Sequence, residues 1–270
     1  MTTKIDVRRI LRISAVTFLI ITFLLSAGLV KSRQKDVACK SVNINIDESE
    51  GNFFVEQSDI LNMIHDKWGE LVGKRIDAIN MNVLETMIQN NPFILRAEVF
   101  STIDGEVNID VKQREPVIRI INSENQSFYI DKKGMYMPVS DKFASYVPVA
   151  SGNIPDRYVS GSIIKNPNEM ESGAYNKTLP EQLFELAVFT RSDELWGAQF
   201  VQYYVNEDGD IELIPRVGNH RIILGDTQHM KEKFDKLKLF YQKGLQSADW
   251  NKYNTINLKF ADQVVCTKTK

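Results

Sequence analysis

The sequence predicts an α+β protein: a single N-terminal transmembrane helix, a small α/β domain, then a β-rich domain with helices. Three observations carry that prediction. Ile13–Val30 contains no charged residue. Residues 40–115 alternate strand and helix periodicity in the order strand, helix, helix, strand, strand. After Glu115-Pro116, short β-branched and aromatic runs dominate, with two amphipathic helical stretches among them.

The first element follows from length and charge. ISAVTFLIITFLLSAGLV is roughly 18 residues, or ~27 Å as a helix, close to the ~30 Å thickness of a bilayer's hydrocarbon. Charges stop at Arg12 and Lys31. Residues 13–30 are therefore expected to span a membrane and contact its lipid, with residues 1–12 as a short basic tail and 31–39 as a charged linker. A cleaved signal peptide is the rival, since Ser26 and Gly28 are small, but the apolar run exceeds the usual ~7–15-residue core of such a peptide. A buried soluble helix is the third option, because the segment is apolar all round. Lys4, Arg8, Arg9 and Arg12 on one side nearly balance Lys31, Arg33, Lys35 and Lys40 on the other, so charge does not set the orientation.

Next, Val42, Ile44 and Ile46 alternate with Asn43 and Asn45, the period of a strand with one buried face. Ser58, preceded by Val55, is a candidate N-cap. Ile60, Leu61, Ile64 and Trp68 follow at helical spacing until Gly69 and Gly73. A second helix is expected over residues 80–89, with Val83, Leu84, Met87 and Ile88 on its apolar side. Asn90-Asn91-Pro92 stops it, because a residue before proline avoids the helical region. Two strands then flank Asp104-Gly105, a strong hairpin signal: Ile94 to Thr102 and Val107 to Lys112.

Beyond Pro116 the strand candidates are Val117–Ile121, Phe128–Ile130, Val201–Val205, Ile211–Ile214, Ile222–Leu224 and Ile256–Phe260, with Lys133-Gly134 and Asp208-Gly209 in turns. Helices are expected from Leu179 to about Arg191 and from Met230 to Leu245. Lys231, Lys233, Lys236 and Lys238 read as the solvated face of the latter. Residues 150–178 have no period and read as a long irregular connection. The domain spans 116–265, and 266–270 reads as a tail. Thr255–Val265 is the last expected strand; a terminal strand often lies at a sheet edge, where backbone groups accept a partner's strand.

Recognisable chemistry is sparse. At 43% hydrophobic and 25% charged, the chain holds a packed core rather than disorder, and a net charge of −2 argues against nucleic acid as a partner. No phosphate loop, nucleophile elbow or H-E-x-x-H occurs. His65, His220 and His229 are dispersed, so no metal ligand set, cofactor site or catalytic residue is assigned. Asn206-Glu207-Asp208-Gly209-Asp210 looks like a calcium loop but lacks the distal glutamate, so it reads as a hairpin turn. Asp131 and Asp156 lack a supporting Ser, His or third acid. Cys39 and Cys266 read as free thiols, with a bridge as the alternative. An anchored chain without chemistry most often positions partners.

Three local patterns accompany this layout: Asn91-Pro92-Phe93-Ile94-Leu95-Arg96-Ala97-Glu98-Val99; Val111-Lys112-Gln113-Arg114-Glu115-Pro116-Val117 followed by Phe128-Tyr129-Ile130-Asp131-Lys132-Lys133-Gly134; and Ile256-Asn257-Leu258-Lys259-Phe260. The second is similar to an E-R-x-P junction and D-x-x-G turn, with Arg114 and Glu115 in swapped order. The third is similar to an I-D-L-R-Y strand, with Asn257 and Phe260 replacing the acid and tyrosine. Together with the layout, they resemble the FtsQ/DivIB family of bacterial cell-division proteins. The resemblance implies a POTRA-like domain at 40–115, then a β domain. It implies a type II single-pass protein of the inner membrane, N-terminus cytoplasmic and bulk periplasmic, acting at the midcell septum without enzymatic activity. It implies the division proteins FtsB and FtsL as partners, with the partner strand adding at Phe260, Ala261, Asp262, Gln263, Val264 and Val265. The competing functions are a membrane-anchored cell-wall enzyme, which needs a concave site with convergent acids or a nucleophile, and an outer-membrane transport module, which needs tandem modules or a barrel.

Overall fold

The computed structural model describes residues 16–22, 37–48, 51–164, 177–244 and 252–269. Of the expected span, residues 16–22 are helical, with Val16, Phe18, Leu19, Ile20 and Ile21 all more than half exposed. The remainder of 13–30, the basic tail and most of the linker lie outside the described residues. Among the described residues no helix is long and apolar enough to cross a membrane.

Two compact units follow. One comprises the chain up to Asp47 and residues 55–112; the other comprises residues 48–54 and the chain from Gln113 onward.

The first unit is built from β1 (Ser41–Asp47), α1 (Gln57–Trp68), a 3₁₀ turn (Ile76–Ala78), α2 (Met81–Gln89), β2 (Ile94–Ser101) and β3 (Glu106–Gln113). Its sheet has the order β1-β3-β2, and β1 runs parallel to β3. Period-two alternation separates the faces of this sheet. Val107, Ile109 and Val111 are buried with Ile60 and Ile64 of α1 and Leu84 and Ile88 of α2. On the outer face Asn43 meets Asn108, Asn45 meets Asp110, and Asp47 pairs with Lys112. The first helix starts slightly earlier than its sequence cue. Glu56, not Ser58, is the N-cap, and its backbone N–H donates to the Asp59 carboxylate at 3.0 Å. α2 starts as expected at Asn80, whose side chain accepts from Val83 N at 3.2 Å.

The second unit contains β4 (Pro116–Ile121), β5 (Ser127–Asp131), β6 (Tyr136–Pro138), β7 (Val149–Gly152), α3 (Leu179–Arg191), α4 (Glu194–Gln199), β8 (Phe200–Val205), β9 (Ile211–Pro215), β10 (Arg221–Gly225), α5 (Met230–Lys243), β11 (Tyr253–Asn257) and β12 (Val265–Lys268). They form a nine-stranded sheet in the order β12-β11-β10-β9-β8-β7-β4-β5-β6. Neighbours are antiparallel in β4/β5, β5/β6, β8/β9, β9/β10 and β11/β12, and parallel in β4/β7, β7/β8 and β10/β11.

Alternation explains why this sheet is covered. Ile118, Ile120, Phe128, Ile130, Tyr203, Leu213, Ile222 and Ile256 join one core with Leu183, Leu186 and Ala187 of α3, Trp196 of α4, and Phe234 and Leu237 of α5. Trp196 stacks on Phe200 at 5.7 Å and meets Phe234 edge-on at 5.1 Å. Arg119 and Tyr129, out of phase with those residues, meet each other instead, and Phe54 packs edge-on against Tyr129 and Phe143. α3 opens with a capping box, Thr178 N donating to Glu181 at 2.7 Å, and Pro180 in its first turn.

Four elements depart from the sequence reading. β6 and β7 are additional strands, and β7 lies inside the sheet, between β8 and β4, where the stretch without hydrophobic period begins. α4 is an additional short helix, capped by Asp193 accepting from Leu195 N and Trp196 N. The expected strand Thr255–Val265 is broken: β11 ends at Asn257, and β12 begins at Val265 and folds back against it. Residues 266–268, read as tail, are therefore strand.

Candidate functional site

The break after β11 has a local cause. Asn257 Oδ1 accepts from Lys259 N at 2.9 Å, a side-chain turn that ends the extended run. Leu258 is fully buried and its N–H donates to Ile223 O at 2.9 Å. The next residues, Lys-Phe-Ala-Asp-Gln, lack apolar alternation and stay exposed. Their carbonyls are met from α5: the Lys236 ammonium donates to Leu258 O at 3.5 Å, to Ala261 O at 3.0 Å, and to Phe260 O. Val264 then returns to the core, and Val265 pairs with Asn257 to start β12.

The six residues expected to receive a partner thus divide between two structures. Phe260, Ala261, Asp262 and Gln263 are exposed in the loop, with Phe260 46% exposed. Val264 is half-buried. Val265 opens β12 and is 40% exposed. Gln263 lies before the strand and not within it. Sequence reasoning missed Cys266, Thr267 and Lys268, which with Val265 form the terminal strand of the sheet. The available signal was the run Val264-Val265-Cys266-Thr267, β-branched at three of its four positions, after the charged break at Asp262. Paired with β11 on one side, β12 offers its other edge along roughly 13 Å of extended chain. A row of outward N–H and C=O groups with apolar side chains beside it is a template for an added strand.

The lysines of α5 also differ from expectation. Lys233 is buried, and its ammonium holds Asp226 Oδ1 at 2.8 Å and Asp226 O at 2.9 Å. Burial alone would raise the Asp226 carboxyl; Lys233 and the Gln228 N–H outweigh it and hold the pKa below its ordinary 3.8. A cavity of about 210 Å³ is lined by Gln182, Asp208, Asp210, Asp226, Lys233 and Lys259. Here acids do converge, but Lys259 meets Asp210 at 2.6 Å as Lys233 meets Asp226, so these carboxylates are held as ion pairs. Asp131 is consumed likewise: Arg114 donates to one oxygen at 2.8 Å, and Lys133 N and Met135 N to the other, each at 2.8 Å. Asp156, half-buried, has its pKa raised by desolvation. The Asn206–Asp210 segment is a turn, as expected: Asn206 Oδ1 accepts from Asp208 N and Asp210 N between β8 and β9. Cys39 and Cys266 are free thiols, both with pKa raised by burial.

Family comparison agrees with this architecture on both units. Residues 37–112 match the POTRA-like domain, and residues 115–267 match the model described as FtsQ/DivIB, C-terminal related. The second match alone covers more than half of the chain.

The chain belongs to the FtsQ/DivIB family.

Among curated proteins none matches it significantly. In this FtsQ/DivIB chain the POTRA-like match coincides with the β1-α1-α2-β2-β3 unit, and the C-terminal match ends within β12, the edge strand. The family consists of bacterial cell-division proteins without enzymatic activity.

Proposed function

We propose that this FtsQ/DivIB chain is a single-pass membrane adaptor of the bacterial divisome that captures a division partner on the β12 edge. The carrying observation is that edge itself. β12 ends the nine-stranded sheet, within the family-matched region, and exposed Phe260 and Val265 flank its start. Backbone pairing would supply affinity, and those two side chains would supply selectivity. The uncharged run at residues 13–30 supports an inner-membrane anchor, with the two units outside the cytoplasm. Tethering raises the effective concentration of partners confined to the same bilayer. FtsB and FtsL are the partners this reading names.

A C-terminal fusion to a fluorescent protein that matures only outside the cytoplasm tests topology and role together. A midcell band is expected. Signal spread evenly around the envelope, or none without a cytoplasm-competent fluorophore, would overturn the reading.

A further inference from the structure

A terminal strand of the smaller sheet behaves differently from β12. β2 is terminal in the order β1-β3-β2, so its outward backbone groups have no neighbouring strand among the described residues. Three of those groups are nevertheless bonded from α2. Gln89 Nε2 donates to Leu95 O at 2.7 Å, Ala97 N donates to Gln89 Oε1 at 2.7 Å, and Val99 N donates to Glu85 Oε2 at 3.1 Å. The Gln89 amide thus accepts and donates as one residue of an adjoining strand would.

The match is geometric. Residues 85 and 89 are four apart on α2, an axial rise of about 6 Å. Ala97 and Val99 are two apart on β2, about 6.8 Å. A helix beside the edge therefore brings two polar side chains to three outward-facing strand residues.

We propose that Glu85 and Gln89 plug the β2 edge, and that the edge they close is one that pairs with β2 of a second copy of this chain. Self-complementarity argues for that occupant. An antiparallel pair centred on Ala97 sets Arg96 opposite Glu98 of the other copy, and Glu98 opposite its Arg96. Both side chains are exposed on the outer face, where they now pair with each other within one strand. Opposite charges directly across strands stabilise such a pair, and a two-fold axis supplies the contact twice. The exposed Phe100 and Ile103 lie just beyond this register.

The test uses the full chain in detergent micelles. Glu85→Ala/Gln89→Ala is expected to raise amide exchange at Ala97 and Val99 about tenfold or more, since the capping acceptors are gone. It is also expected to make the sedimenting mass rise with concentration where the wild type's does not. In that background Arg96→Glu alone and Glu98→Arg alone should each block association, and mixing the two variants should restore it. A folded double variant whose mass follows the wild type, or association indifferent to both charge reversals, would overturn the proposal. Should the double variant fail to fold, Gln89→Ala alone decides: unchanged exchange at Ala97 would show that the amide does not cap the edge.

Discussion

Arg114 Nη1 donates to Asp131 Oδ2 at 2.8 Å, with the Asp131 side chain 1% exposed and that of Arg114 14%. The contact joins the junction that opens β4 to the turn that follows β5. Lys132 N donates to Glu115 O at 2.8 Å, and Arg191 of α3 reaches Pro116 O at 2.9 Å. Strand pairing, turn and helix are thus tied at one point.

Arg114→Ala leaves the Asp131 carboxylate buried and short of its cation. A loss of about 3–5 kcal/mol is expected. Asp131→Asn keeps an acceptor for Lys133 N and Met135 N and should cost less than Asp131→Ala. Urea unfolding of the three variants gives the ranking; equal midpoints for all would contradict it.

Gly152 in β7 has φ +104°, and a Cβ there would meet Val205 O at 2.2 Å. Gly152→Ala should destabilise by about 3 kcal/mol or more, because strain and overlap add. Gly209, at φ +84° with open space around it, should cost only about 1 kcal/mol on the same change. Thermal unfolding compares them directly.

His220 is buried, and its Nε2 lies 3.0 Å from the Tyr241 hydroxyl. Desolvation lowers its pKa below the ordinary 6.5. The unfolded chain therefore takes up the proton first. Its contribution is complete above about pH 6.5 and is lost as pH falls toward the folded value. His220→Gln should flatten the stability profile just below pH 6.5, while the loss tied to Asp226, whose carboxyl is depressed, comes only below pH 3.8. An unaltered profile in the variant would refute the assignment.

Lys236→Met removes the donor that meets the Leu258, Phe260 and Ala261 carbonyls. Local opening of residues 258–264 should increase severalfold with little change in global stability. Hydrogen exchange resolves the two effects, and unchanged protection in the loop would count against this role.

Period and punctuation made much of the fold legible. Val107, Ile109 and Val111 announced a one-sided strand, Asp104-Gly105 and Asp208-Gly209 their turns, and Leu183, Leu186 and Ala187 a buried helix face. What escaped was decided by distant partners. Val149-Ala150-Ser151-Gly152 is too short and small to show a period, and becomes a strand only between β4 and β8. Lys233 and Lys236 have the spacing of a wet face, but Asp226 and the carbonyls after β11 recruit them. At the candidate site the sequence located the C-terminal region and missed its geometry, because the Asn257 side-chain turn splits one expected strand into two. The Glu85 and Gln89 contacts had no local sequence signal at all.

The most direct test of strand capture on β12 is site-specific photo-crosslinking in dividing cells, with the reactive group placed in turn at Val265, Thr267 and, as a control far along the chain, exposed Val159. The account expects adducts from Val265 and Thr267 to one extended segment of a division membrane protein, lost when the segment's backbone donors are replaced by proline, and none from Val159. Adducts to that protein from Val159 but not from the β12 positions would contradict it.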